Sequence, residues 1–162
     1  MSLTDEGHYG PKQLNMLKVI WGEGYLSPGG SMEIDEIIGD LDLSNKKILD
    51  IGCGTGGAVF HLLEKHNAAE AIGYDPEPLV IEKATELAAE KNLSDRAKFY
   101  CIEPGPIQAD DESMDVVFSK EAFIHIPDKY ELMKDINRIL KPSGLLAVGD
   151  WTVSYTHLTL PT

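Results

Sequence analysis

The stretch KKILDIGCGTGGAVFHLL, residues 46–63, decides the fold. KILDI, residues 47–51, reads as a short strand, and Gly52, Gly54 and Gly57 then satisfy the spacing G-x-G-x-x-G before a helix predicted from Gly57 to His66. Glycine lets the backbone turn through positive φ and lets a ligand approach with no Cβ in the way, while the helix behind it offers unpaired N–H groups. Strand, glycine turn and helix in that order open a βα unit.

Working outward, the alternation continues. AIGYD (71–75), a helix from Pro78 to Asn92, KFYCI (98–102), DVVFS (115–119), a helix from Asp128 to Leu140 and LLAVGD (145–150) follow in turn. Strands of this length alternating with longer helices imply βαβ crossovers, and so a doubly wound, mostly parallel sheet whose ligands bind beyond the carboxyl ends of the strands. Asp128 and Glu131 form a capping box at the start of the last helix, and the Pro142-Ser143-Gly144 segment stops it. Upstream, Leu14, Leu17, Ile20 and Trp21 recur at helical spacing over about 12–22. After the turn cluster YLSPGGS, Ser31 is placed to cap a second helix with Ile34, Ile37, Ile38 and Leu41 on one stripe, ending near Leu43.

The 162 residues suit one domain. Fourteen basic against 27 acidic residues give a net charge of −13, which repels nucleic acid and anionic membranes and favours a small-molecule partner, though the same charge also serves solubility. No basic N-terminal segment with an apolar core and no run long enough to span a bilayer is present, so the expected location is cytoplasmic. Cys53 and Cys101 lie far apart in apolar stretches, which argues against a disulfide framework or a zinc site, and no metal is expected.

The glycine loop admits two nucleoside ligands. A dinucleotide would set its pyrophosphate on the helix N–H groups, whereas a methyl donor carries no phosphate and would fill the loop with its adenosyl and methionyl parts. Asp75, ending the second strand 18 residues after Gly57, is placed to accept both hydrogen bonds of a ribose diol, which both ligands carry. As a plain turn residue before Pro76 it would do neither.

LDIGCGTGG (with Asp50 just before the loop), GYDPEP, DDESMDVVFSKEAFIHIPD and RILKPSGLLAVGDW together resemble the class I S-adenosylmethionine-dependent methyltransferases over roughly residues 44–151. The resemblance implies a Rossmann-like fold with helices on both faces, lacking the last strands, and S-adenosyl-L-methionine as cofactor. By it, Asp50 and Gly52 lie near the methionyl end of the donor, Asp75 holds the ribose, Glu103 stands beside the adenine, where EPGPIQ departs from the usual aspartate, and Gly54, Pro76 and Pro104 are further cofactor contacts.

TDEG (4–7), WGEGYLSPGG (21–30) and FSKEAFIHIPDK (118–129) further resemble the phosphoethanolamine N-methyltransferases. That likeness makes residues 1–43 a helical cap and Tyr25, Leu26 and Ser27 donor contacts. Lys120, Glu121 and His125 fall where the family has an Arg-Asp pair and a histidine; Lys120 is expected at the donor, and His125 and Glu121 to act in catalysis. An ammonium has no free lone pair, so its methylation needs a proton removed in near-attack geometry, a task suited to imidazole. Leu3 stands where the family has a tyrosine, with Tyr9 nearby. An O- or C-methyltransferase, a nicotinamide-binding oxidoreductase and a non-catalytic nucleoside-binding fragment are the alternatives. The last segment, SYTHLTLPT, resembles translated vector sequence, so residues 152–162 are expected to be a non-native tail on a truncated enzyme whose acceptor site is incomplete.

Overall fold

A computed structural model of the chain describes residues 9–103 and 105–151. Two helices, α1 (Pro11–Trp21) and α2 (Gly30–Ile38), precede an alternating unit: β1 (Lys47–Ile51), α3 (Gly57–Glu64), β2 (Glu70–Asp75), α4 (Pro78–Glu90), β3 (Ala97–Cys101), β4 (Met114–Lys120), a 3-10 turn (Phe123–His125), α5 (Lys129–Ile139) and β5 (Leu140–Gly149). The strands form one parallel sheet in the order β3-β2-β1-β4-β5, as the alternation predicts. The chain runs outward from β1 to β3 and returns to β4 on the other side of β1. Between β1 and β4 the winding reverses, and a crevice opens there beyond the strand ends.

Ile48 and Leu49 point to opposite faces of β1 and both are fully buried, so helices cover the sheet on both sides. On one face Ile48, Val116 and Phe118 pack with Ile34 and Ile38 of α2 and Val59, Leu62 and Leu63 of α3. On the other, Leu49, Ile72 and Val117 pack with Leu132, Ile136 and Ile139 of α5.

Several boundaries differ from expectation. Ser31 lies inside α2 rather than capping it; Gly29, at φ 83°, holds the cap position with no side-chain bond. α2 ends at Ile38, where Gly39 turns at φ 55°, which leaves Leu41 outside the helix and 37% exposed. α3 and α4 stop two residues before the predicted His66 and Asn92, and Asn67 and Asn92 follow at positive φ, a conformation asparagine tolerates. Asp128 caps α5 by accepting from the Glu131 amide at 3.0 Å, but the Glu131 carboxylate bonds Lys134, so half of the capping box is made. Pro142 and Gly144 fall within β5 rather than before it: Leu140 pairs with Met114 and Leu145 with Val116, and the residues between bulge out.

Candidate functional site

Beyond the carboxyl ends of β1, β2 and β4 lies a cleft of about 1670 Å³. That exceeds the roughly 300–1,000 Å³ of a typical small-molecule pocket, and leaves room for two small molecules side by side. Gly52, Gly54 and Gly56 take positive φ of 79°, 52° and 88° around the loop after β1. The amides of Gly52 and Cys53 both donate to the Tyr74 carbonyl, at 2.8 and 3.1 Å, which straps the loop to β2. The glycines admit protein as much as ligand. A Cβ on Gly52 would stand 2.1 Å from the Ala122 Cβ, one on Gly54 2.9 Å from Leu26 Cδ1, and one on Gly57 2.5 Å from the Gly24 carbonyl oxygen. The Gly57 amide donates to that oxygen at 2.9 Å, so one of the N–H groups expected to be open at the helix start is taken by the chain itself.

Two carboxyl groups face the cleft from neighbouring strand ends. Asp75 Oδ2 accepts from the Gly54 amide at 2.9 Å and its Oδ1 from the Glu77 amide at 3.0 Å. Burial raises the Asp75 pKa, partly offset by those two donors. Asp50 is 2% exposed, and its Oδ2 is the one buried side-chain oxygen without a partner among the described residues. Burial and then the Asp75 charge push its carboxyl up to about 8, with Lys120 pulling the other way. Pro76 continues the same wall and Glu103 borders the cleft beyond β3, exposed; Pro104 lies outside the described residues. Tyr9 also lines the cleft, on the side of Asp75 and Glu77, whose charges add to burial in raising its phenol. The TDEG segment and Leu3 lie outside the described residues.

The segment between α1 and α2 covers the glycine loop. Tyr25, Leu26 and Ser27 all line the cleft, Leu26 resting on Gly54. Lys120, at the end of β4 with only 8% of its side chain exposed, donates to Ser27 Oγ and to the Pro28 carbonyl, both at 2.7 Å, and pairs with Glu33 at 3.0 Å. Two of these bonds thereby reach the covering segment and the third the first turn of α2. Glu121 follows at φ 56°, its carboxylate 3.5 Å from Lys120 Nζ and its amide bonded to the Gly149 carbonyl. His125 lines the cleft from the 3-10 turn and is exposed.

Trp151, just past β5 and 64% exposed, lines the cleft as well. Sequence reasoning passed over it, although its place at a strand carboxyl end is the signal that marks such residues.

A model of a methyltransferase domain matches residues 42–159. The chain belongs to the methyltransferase domain family. Its relatives include phosphoethanolamine N-methyltransferase 1 of Triticum aestivum, 31% identical over 133 residues, which are 82% of this chain and 26% of that protein. Tocopherol O-methyltransferase of Arabidopsis thaliana is 34% identical over 106 residues, 65% of this chain and 30% of that protein. This methyltransferase domain thus spans about a quarter to a third of the length of these curated relatives. Its fold is that of Haemonchus contortus phosphoethanolamine N-methyltransferase 2, solved in complex with S-adenosyl-L-methionine: TM-score 0.84 at 24% identity, over 97% of this chain and 36% of that one.

Proposed function

We propose that this domain binds S-adenosyl-L-methionine and transfers its methyl group to a small-molecule amine, phosphoethanolamine or a related phosphobase. The orphaned Oδ2 of Asp50 carries the reading: a buried carboxyl facing a cleft and left unmatched by its own protein fits a ligand that brings a cationic donor. The ammonium of the methionyl part is such a group. Asp50 would hold it beside Gly52 and Gly54, Asp75 and Pro76 would take the ribose, Glu103 and Pro104 would flank the adenine, and Tyr25, Leu26 and Ser27 would close over the donor. Residues 1–43 are then the cap, with Lys120 holding it in place from below. When bound, the cofactor supplies an electrophilic methyl group on a sulfonium. His125, on the open side of the cleft, removes the proton from the acceptor ammonium, and Glu121 provides the negative charge that keeps that ammonium close. The two unpaired thiols, Cys53 and Cys101, suit a reducing cytoplasmic setting.

A second reading, an O-methyltransferase in which His125 deprotonates a hydroxyl, draws on the tocopherol relative. Isothermal titration with S-adenosylhomocysteine, with NAD as control, tests the donor site. Saturable binding is expected, weakened about tenfold or more in Asp75→Ala, which removes the acceptor of the Gly54 and Glu77 amides along with the ribose contact. Binding of NAD but not of S-adenosylhomocysteine, by a chain that circular dichroism shows folded, overturns the reading. Methyl transfer to phosphoethanolamine compared with phenolic acceptors then separates the two acceptor classes.

A further inference from the structure

Asp35 of α2, His61 of α3 and His66 in the turn after α3 direct three ligand atoms at one point. His61 Nε2 lies 2.6 Å and His66 Nε2 2.7 Å from the same oxygen, Asp35 Oδ1. The two rings meet edge to face, centroids 5.3 Å apart. The imidazoles are largely enclosed, with 12% and 19% of their side chains exposed, whereas Asp35 is 54% exposed. None of the three lines the cleft.

We propose that Asp35, His61 and His66 form a site for one divalent transition-metal ion of the zinc type, which clasps α2 to α3. Two imidazole nitrogens and one carboxylate oxygen suit zinc and its neighbours rather than magnesium or calcium, which prefer oxygen alone. All three atoms lie within 4.8 Å of one another. With metal bonds of about 2.0–2.1 Å, ligand atoms on a tetrahedral ion stand roughly 3.3 Å apart, so each close pair opens by under about 1 Å. The solvent-facing Asp35 side chain can supply that by rotation. Each neutral ring gives its Nε2 lone pair to the ion and carries its proton on Nδ1, and the remaining coordination positions face water on the Asp35 side. The three ligands come from α2, α3 and the turn after α3, so an ion here ties the helix that follows the covering segment to the helix that the glycine loop begins.

The test is isothermal titration of EDTA-treated protein with Zn²⁺, on the full chain and three variants. One equivalent is expected to bind, with affinity at least tenfold weaker in Asp35→Asn and in His66→Gln and unchanged in Cys101→Ser. Asp35→Asn keeps a hydrogen-bond acceptor on an exposed helix position, so the fold survives while ligation weakens. Excess Zn²⁺ is expected to raise the melting temperature by about 5 °C in the wild type and not in Asp35→Asn. Absence of saturable binding by folded protein overturns the proposal and leaves two imidazoles hydrogen-bonded to one carboxylate. Equal affinity in Asp35→Asn, His66→Gln and wild type overturns it too, by placing the ion elsewhere.

Discussion

The two halves of the cleft are built differently. Around the ends of β1 and β2, position is fixed by backbone: the loop amides bond Tyr74, Asp75 is pinned by two amides, and three glycines stand where a Cβ would strike Ala122, Leu26 or the Gly24 carbonyl. Around the ends of β4 and β5 the lining is mixed: His125 and Trp151 are side chains in the open, Trp151 64% exposed, whereas Lys120 and Glu121 are nearly enclosed. A half held by backbone tolerates little substitution, whereas exposed side chains such as His125 and Trp151 can be rewritten without disturbing the sheet.

Substitution tests the contrast, and the largest effect belongs to the first half. Gly52→Ala puts a Cβ 2.1 Å from that of Ala122 on a backbone at φ 79°. Left-handed strain of about 1–2 kcal/mol and overpacking of about 1–3 kcal/mol together predict a loss of about 4 kcal/mol in urea unfolding. A loss below about 1 kcal/mol would show that the loop is looser than its contacts imply.

Asp50 gives the next effect, and it depends on pH. Its carboxyl rises from 3.8 to about 8 on folding, so the folded chain holds the proton more tightly and the associated stability is fully present below 3.8 and is lost as pH climbs through 8. Relative to Asp50→Asn, which cannot titrate, the wild type is expected to lose about 3 kcal/mol between pH 5 and pH 8, read from urea midpoints at the two pH values. Parallel pH profiles for the two proteins would mean that Asp50 is already ionised and paired. The smallest effect belongs to the open half: His125→Ala should shift stability by less than about 0.5 kcal/mol, because an exposed side chain contributes little packing. A larger loss in thermal melts would make His125 part of the framework and remove the contrast.

What the sequence reveals follows the same line. The strands, their alternation with helices, the glycine turn and Asp75 at the end of β2 were all legible, because each is a local pattern of period, spacing or strand end. Contacts between distant segments were not. Lys120 reads as a donor contact from its motif and does line the cleft, but its bond to Ser27, 93 positions away, leaves no local pattern. Ser31 reads as a helix cap, but the pinned turn before it gives that place to Gly29. His61 and His66 gave no signal, since their common partner lies 26 and 31 positions upstream on another helix. Gly57 fits the motif by spacing, while the structure shows that half of its reason is the carbonyl of Gly24.

That last pair has a consequence for inheritance. Gly24 at φ 89° would set its own Cβ 2.9 Å from the Gly57 Cα, and Gly57 would set its Cβ 2.5 Å from the Gly24 oxygen. Neither can change while the other keeps its place. Two codons 33 positions apart thus behave as a single locus, and a descendant that alters one must first lift the whole covering segment away from the loop.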